Sequence, residues 1–201
     1  MYFKVGRDEK EYAIHAGVLR RHFPYVYSNG KFFRFTIGIG CDGEGIFPQV
    51  LQYMYNGDYS IHLPADSSVP VACDAVLDGA FLQLRDKYLG NCMSTQIFLE
   101  HLADLLHGCT LPVCKQTDYL CKSPDALLTH ARLHIFAKKH RLDMLVRLSL
   151  WKLVHALLEQ VLAHPYRTEG VVELLRFASE PGTADEDLIT LMVHYVSYHL
   201  K

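Results

Sequence analysis

Phe33-Arg34-Phe35-Thr36-Ile37-Gly38-Ile39-Gly40-Cys41-Asp42-Gly43 carries two signals at once. Phe33, Phe35, Ile37 and Ile39 alternate with Arg34, Thr36, Gly38 and Gly40, the period-two pattern of a half-buried strand. The end of the run matches G-x-G-x-x-G, and Asp58 follows Gly38 by twenty residues. In a dinucleotide fold those glycines would permit a tight turn, close approach of a pyrophosphate and helix packing. That fold needs further parallel strands joined by crossovers, and the segments downstream are loop-rich and then helical. The preferred reading is a glycine-rich turn after a strand, which needs only backbone freedom. A dinucleotide-binding enzyme using Gly38, Gly40 and Gly43 is the alternative.

Upstream, Phe3-Lys4-Val5 and Glu11-Tyr12-Ala13-Ile14-His15 alternate on either side of a polar turn, which predicts a hairpin. A short helix over 16–22 is stopped by Pro24. Downstream, Pro48 fits the first turn of a helix over 46–55 that ends at Asn56-Gly57. Residues 75–89 and 94–107 each fit a helix, and 108–122 reads as a loop. From Ser123 the pattern is helical throughout, with Ser123 as cap and Pro124 as first residue. Leu127, Leu128, Ala131, Ile135 and Phe136 form one stripe, and Leu145, Leu148, Trp151, Val154, Leu158 and Val161 another. Thr168 fits as the cap of a helix over 169–179. Thr183-Ala184-Asp185-Glu186 fits a capping box ahead of a last helix bearing Leu188, Met192, Tyr195, Val196 and Leu200. Strands in front and helices behind predict an α+β class. The expected parts are 1–60, a variable insertion over 61–122, and a helical region over 123–201.

Lys and Arg total 20 against 22 Asp and Glu, a net charge of −2, which argues against a nucleic-acid footprint. The aromatic front end, Tyr2, Phe3, Phe23, Tyr25, Tyr27, Phe32, Phe33 and Phe35, is therefore read as core plus interaction surface. Hydrophobic residues make up 50% of the 201, which excludes a disordered chain. No apolar run approaches the ~18 residues that cross a membrane. Met1-Tyr2-Phe3-Lys4 has no apolar signal core, so an intracellular place, cytoplasmic or nuclear, is expected.

Twelve histidines and six cysteines raise the question of metal. His107, Cys109, Cys114 and Cys121 supply soft ligands, but C-x4-C-x6-C is not a usual zinc spacing. A small zinc module there is a further alternative to free thiols in a loop. His130 and His134 lie four apart on one helix, yet Ala131 stands where a metalloprotease needs Glu, so they read as packed or solvated residues. Asp185-Glu186-Asp187 reads as a surface turn that serves a helix N-terminus. No catalytic pairing emerges, and neither an enzyme nor a resident cofactor or metal is expected.

Residues 5–19, from the first hairpin through His15 to Leu19, resemble the opening of a BTB/POZ domain. Phe47-Pro48-Gln49-Val50-Leu51-Gln52-Tyr53-Met54-Tyr55-Asn56-Gly57-Asp58-Tyr59 is similar to that family's helix ending in Tyr-x-Gly-x-Tyr. Residues 130–140 and 145–157 resemble its following helices, and 171–177 and 191–198 the tail of its fungal members. These segments come in the family's order along the chain. The resemblance implies a small mixed sheet flanked by helices with a helical extension, and a non-catalytic protein-interaction module. It also implies protein partners, a homodimer, or an adaptor role on a cullin-type ubiquitin-ligase scaffold, although that scaffold's hydrophobic-x-Glu pattern is not placed in this sequence. The candidate interaction surface is Phe33, Phe35, Ile37, Phe47, Tyr53 and Tyr55.

Overall fold

In the computed structural model the described residues are 2–5, 10–23, 43–61, 124–163 and 169–199. The alternating runs at the front form a hairpin, β1 (Tyr2–Val5) and β2 (Lys10–Ala13). The strands are antiparallel, with Phe3 opposite Tyr12 and Lys4 opposite Glu11. A pair of four-residue strands is marginal alone and needs packing. Tyr12 supplies it, its ring centroid 4.8 Å from that of Phe47.

Helix α1 (Ala16–His22) has no side-chain cap at His15 and buries Leu19. Its last turn carries Arg20, Arg21 and His22, whose positive charge suits a helix C-terminus. Helix α2 (Gly43–Asn56) buries Ile46, Phe47, Val50, Tyr53 and Met54, the spacing of one helical face. It starts three residues earlier than the sequence suggests, so Pro48 lies inside it rather than in its first turn. Gly57 closes it at φ 75°, and its N–H donates to the Tyr53 carbonyl at 2.7 Å. A left-handed residue of this kind costs glycine no Cβ clash.

Helix α3 (Pro124–Lys139) is central, packing against α2, α4 and α5. It buries Ala126, Leu127, His130, Ala131, Leu133, His134, Phe136 and Ala137, more of its circumference than one stripe. Arg141 then turns the chain at φ 55°. The Leu142 N–H donates to the Ala137 carbonyl at 2.9 Å, and the Arg141 N–H to Lys138 at 3.2 Å. Those two bonds are the Schellman closure. Helix α4 (Asp143–Ala163) has an unbroken buried run from Leu148 to Leu157, as expected of a helix covered all round. Helices α5 (Glu169–Ser179) and α6 (Glu186–His199) pack on each other, burying Val171, Leu174 and Ala178 on one and Leu188, Leu191, Met192 and Tyr195 on the other.

The α+β expectation is corrected. The described residues are mostly helical, and β1 and β2 are the only strands among them. They hold no mixed sheet flanked by helices, the BTB/POZ architecture implied by the resemblance. The physical reason is periodicity: four of the six helices among the described residues follow residue 123, where the apolar stripes repeat at helical spacing. The strand expected at 33–40, the helices expected at 75–89 and 94–107, and nearly all of the 61–122 insertion lie outside the described residues. Among the described residues no helix is long and apolar enough to cross a membrane.

Candidate functional site

Two polar clusters are built on α3, one at His130 and one at His134. One helical turn separates these histidines, but they do not converge on a common point. Each finds partners from a different part of the chain.

His130 is buried at the contact with the residues after α2. The Tyr59 hydroxyl lies 2.7 Å from its Nδ1. Burial, with the charge of Lys152 and then His155, holds the imidazole well below its usual pKa, so it is neutral. Lys152, on α4, is only 4% exposed. Its ammonium donates to the Tyr59 carbonyl and lies 2.5 Å from Asp58 Oδ1. It also sits 4.4 Å from the Tyr59 ring centroid. Asp58 Oδ1 accepts the Tyr59 N–H at 2.7 Å. The charge in this cluster is matched internally, which permits its burial. The arrangement locks the turn after α2 onto α3 and α4.

His134 is 0% exposed. Its Nδ1 lies 3.1 Å from the Val146 carbonyl. A carbonyl only accepts, so Nδ1 carries the proton and donates. Nε2 then faces Asp185 Oδ1 at 3.4 Å and Asp187 Oδ2 at 3.8 Å. Lys138, one turn along α3, has its Nζ 2.7 Å from Asp185 Oδ2 and 2.7 Å from Asp187 Oδ2. Burial alone would raise the Asp185 pKa. The facing His134 ring, the Lys138 ammonium and the Leu188 N–H together hold it far below the usual carboxylate range. Lys138 is shifted upward: its burial acts the other way, but its bonds to the two carboxylates prevail.

Asp185 is also the cap of α6, its Oδ1 accepting the Asp187 N–H at 3.1 Å and the Leu188 N–H at 3.3 Å. The capping box expected from Thr183 and Glu186 is not the arrangement found. The Thr183 hydroxyl donates instead to the Phe177 carbonyl, back on α5.

Of the candidate interaction residues, Phe47 and Tyr53 are core, at 2% and 7% exposure, and offer no free surface. Tyr55 is exposed. Its hydroxyl accepts the His15 N–H at 3.0 Å and lies 2.8 Å from His15 Nδ1, tying the start of α1 to the end of α2. Phe33, Phe35, Ile37, Gly38, Gly40, His107, Cys109, Cys114 and Cys121 lie outside the described residues, and Gly43 is the first residue of α2. The sequence reading missed the pairing of Lys152 with Asp58 and of His134 with Asp185 and Asp187. The available signal was a pair of histidines, His130 and His134, beside the apolar stripe of α3.

No family model, no curated protein and no solved structure matches the chain.

Proposed function

We propose that the chain is a non-catalytic protein-interaction module. The observation that carries this reading is the outer face of α6. Ile189 and Val193 lie one turn apart on it, 40% and 55% exposed, while Leu188, Leu191, Met192 and Tyr195 fill the core side. Two large aliphatic groups on one exposed helical face favour association, because covering them removes apolar surface from water. Val172 on α5 and Tyr55 at the end of α2 are further exposed apolar groups. The net charge of −2 suits a protein partner better than a polyanion.

The order of segments resembling BTB/POZ proteins supports the same function, self-association or an adaptor role on a cullin-type scaffold. The compartment that goes with this reading is intracellular, cytoplasmic or nuclear, where free cysteines persist.

Light scattering over a range of concentrations tests the proposal. The expected result is a mass that rises above one chain with concentration, and a return to one chain in the Ile189→Glu/Val193→Glu variant. A strict monomer that captures no partner in a pull-down overturns it.

A further inference from the structure

We propose that His134, Asp185 and Asp187 form a binding site for a divalent transition-metal cation of the zinc class. The carboxylates alone would not carry this, since acidic turns are common. The independent observation is His134. Its Nε2 is buried, makes no hydrogen bond and is aimed at both carboxylates.

With Nδ1–H donated to the Val146 carbonyl, Nε2 is the ring nitrogen left to offer a lone pair to a metal. It faces two carboxylate oxygens, and the three ligand atoms all lie within 4.8 Å of one another. Lys138 already brings a positive charge to the two carboxylates, but nothing donates to Nε2. A metal cation at the centre would take all three atoms as ligands. The spacing suits one: bonds of ~2.0–2.1 Å in tetrahedral geometry put donor atoms roughly 3.3–3.4 Å apart. His134 Nε2 to Asp185 Oδ1 is 3.4 Å, and to Asp187 Oδ2 3.8 Å. A backbone carbonyl on the far nitrogen is also how metal-binding histidines are oriented. One imidazole and two carboxylates suit zinc or cobalt. Calcium takes six to eight oxygens, and copper(I) prefers sulfur. Three protein ligands leave a fourth position for water.

Lys138 is the competitor. Its ammonium uses Asp185 Oδ2 and not Oδ1, which caps α6 and would also face the metal, but it shares Asp187 Oδ2 with the proposed site. The side chain is 44% exposed and can turn to solvent as the metal enters. The metal would cross-link α3 to the N-terminus of α6.

The test is zinc titration of the chelator-treated full chain at neutral pH, followed by calorimetry and thermal melting. One tight equivalent that raises the Tm is expected. Asp187→Ala, at a partly exposed position, should weaken that equivalent on the order of tenfold or more. Lys138→Ala should tighten it by removing the competing charge. The 15N shift of His134 Nε2 should move on zinc addition. Equal zinc binding by the parent chain and Asp187→Ala would place the metal elsewhere and overturn the site. So would no binding by the parent chain, or a His134 Nε2 signal that does not move when zinc is added.

Discussion

The Tyr59 hydroxyl meets His130 Nδ1 at 2.7 Å across 71 positions of sequence, and both residues are buried. The bond joins the turn after α2 to the middle of α3. Tyr59→Phe keeps the ring and removes the hydroxyl, leaving a buried ring nitrogen without that partner. Such an orphan costs roughly 1–3 kcal/mol. Urea unfolding should show that loss with an unchanged m-value. An unaltered midpoint would mean that the hydroxyl contributes nothing.

Lys152 and Asp58 respond differently to single and paired replacement. Asp58→Ala removes the carboxylate that faces the buried Lys152 ammonium, which costs about 3–5 kcal/mol by the general behaviour of broken buried pairs. Lys152→Met with Asp58→Asn removes both charges while keeping most of the volume. The double variant should be more stable than Asp58→Ala alone. A double-mutant cycle with no coupling between the two positions would contradict the pairing.

Local signals were well resolved in the sequence. Pro124 marks the first residue of α3, and the helix expected at 169–179 is α5 with the same bounds. Caps and apolar spacing act within a few residues, so they are legible there. Thr183 shows where such a rule fails. The pattern Thr-x-x-Glu is present, but the hydroxyl is spent on Phe177, and Asp185 takes over the cap. Phe47 and Tyr53 were offered as surface because an apolar helix face looks alike whether a core or a partner covers it. Lys138 and Asp187 lie 49 positions apart, and nothing in local spacing foretells their contact. The α+β class rested on the hairpin alternation at 3–5 and 11–15, which is found as β1 and β2, and on alternation at 33–40, which lies outside the described residues; the rest of the described chain is ruled by helical periodicity.

Stability should fall as the pH drops from about 6.5 toward 4. His140 is held at about 4, against an ordinary 6.5, by burial and then by the Lys139 charge. Burial, with the Lys152 and His155 charges, lowers His130 in the same direction. Burial also lowers His22, opposed by its bond to the Met54 carbonyl and helped by Arg21. Between the folded and unfolded pKa values the unfolded chain binds more protons, so acid favours unfolding there. The stabilisation is whole above 6.5 and is lost progressively below it. Asp185, also depressed, adds its loss only below its ordinary 3.8. Urea midpoints at pH 8, 6 and 5 check the order. A midpoint that holds constant down to pH 5 would contradict neutral, buried imidazoles.

Arg141 offers a gain rather than a loss. It occupies the left-handed position of the closure after α3, at φ 55°, and its side chain is exposed. A residue with a Cβ pays roughly 1–2 kcal/mol there. Glycine avoids that clash but gives up about 0.5–1 kcal/mol in chain entropy. Arg141→Gly should therefore raise stability by about 0.5–1 kcal/mol. Arg141→Ala separates the backbone from the side chain, because alanine keeps the strain and loses the guanidinium. Urea midpoints should rank glycine above both alanine and the parent. If alanine matched glycine, the gain would come from removing the side chain, and the left-handed backbone would carry no strain.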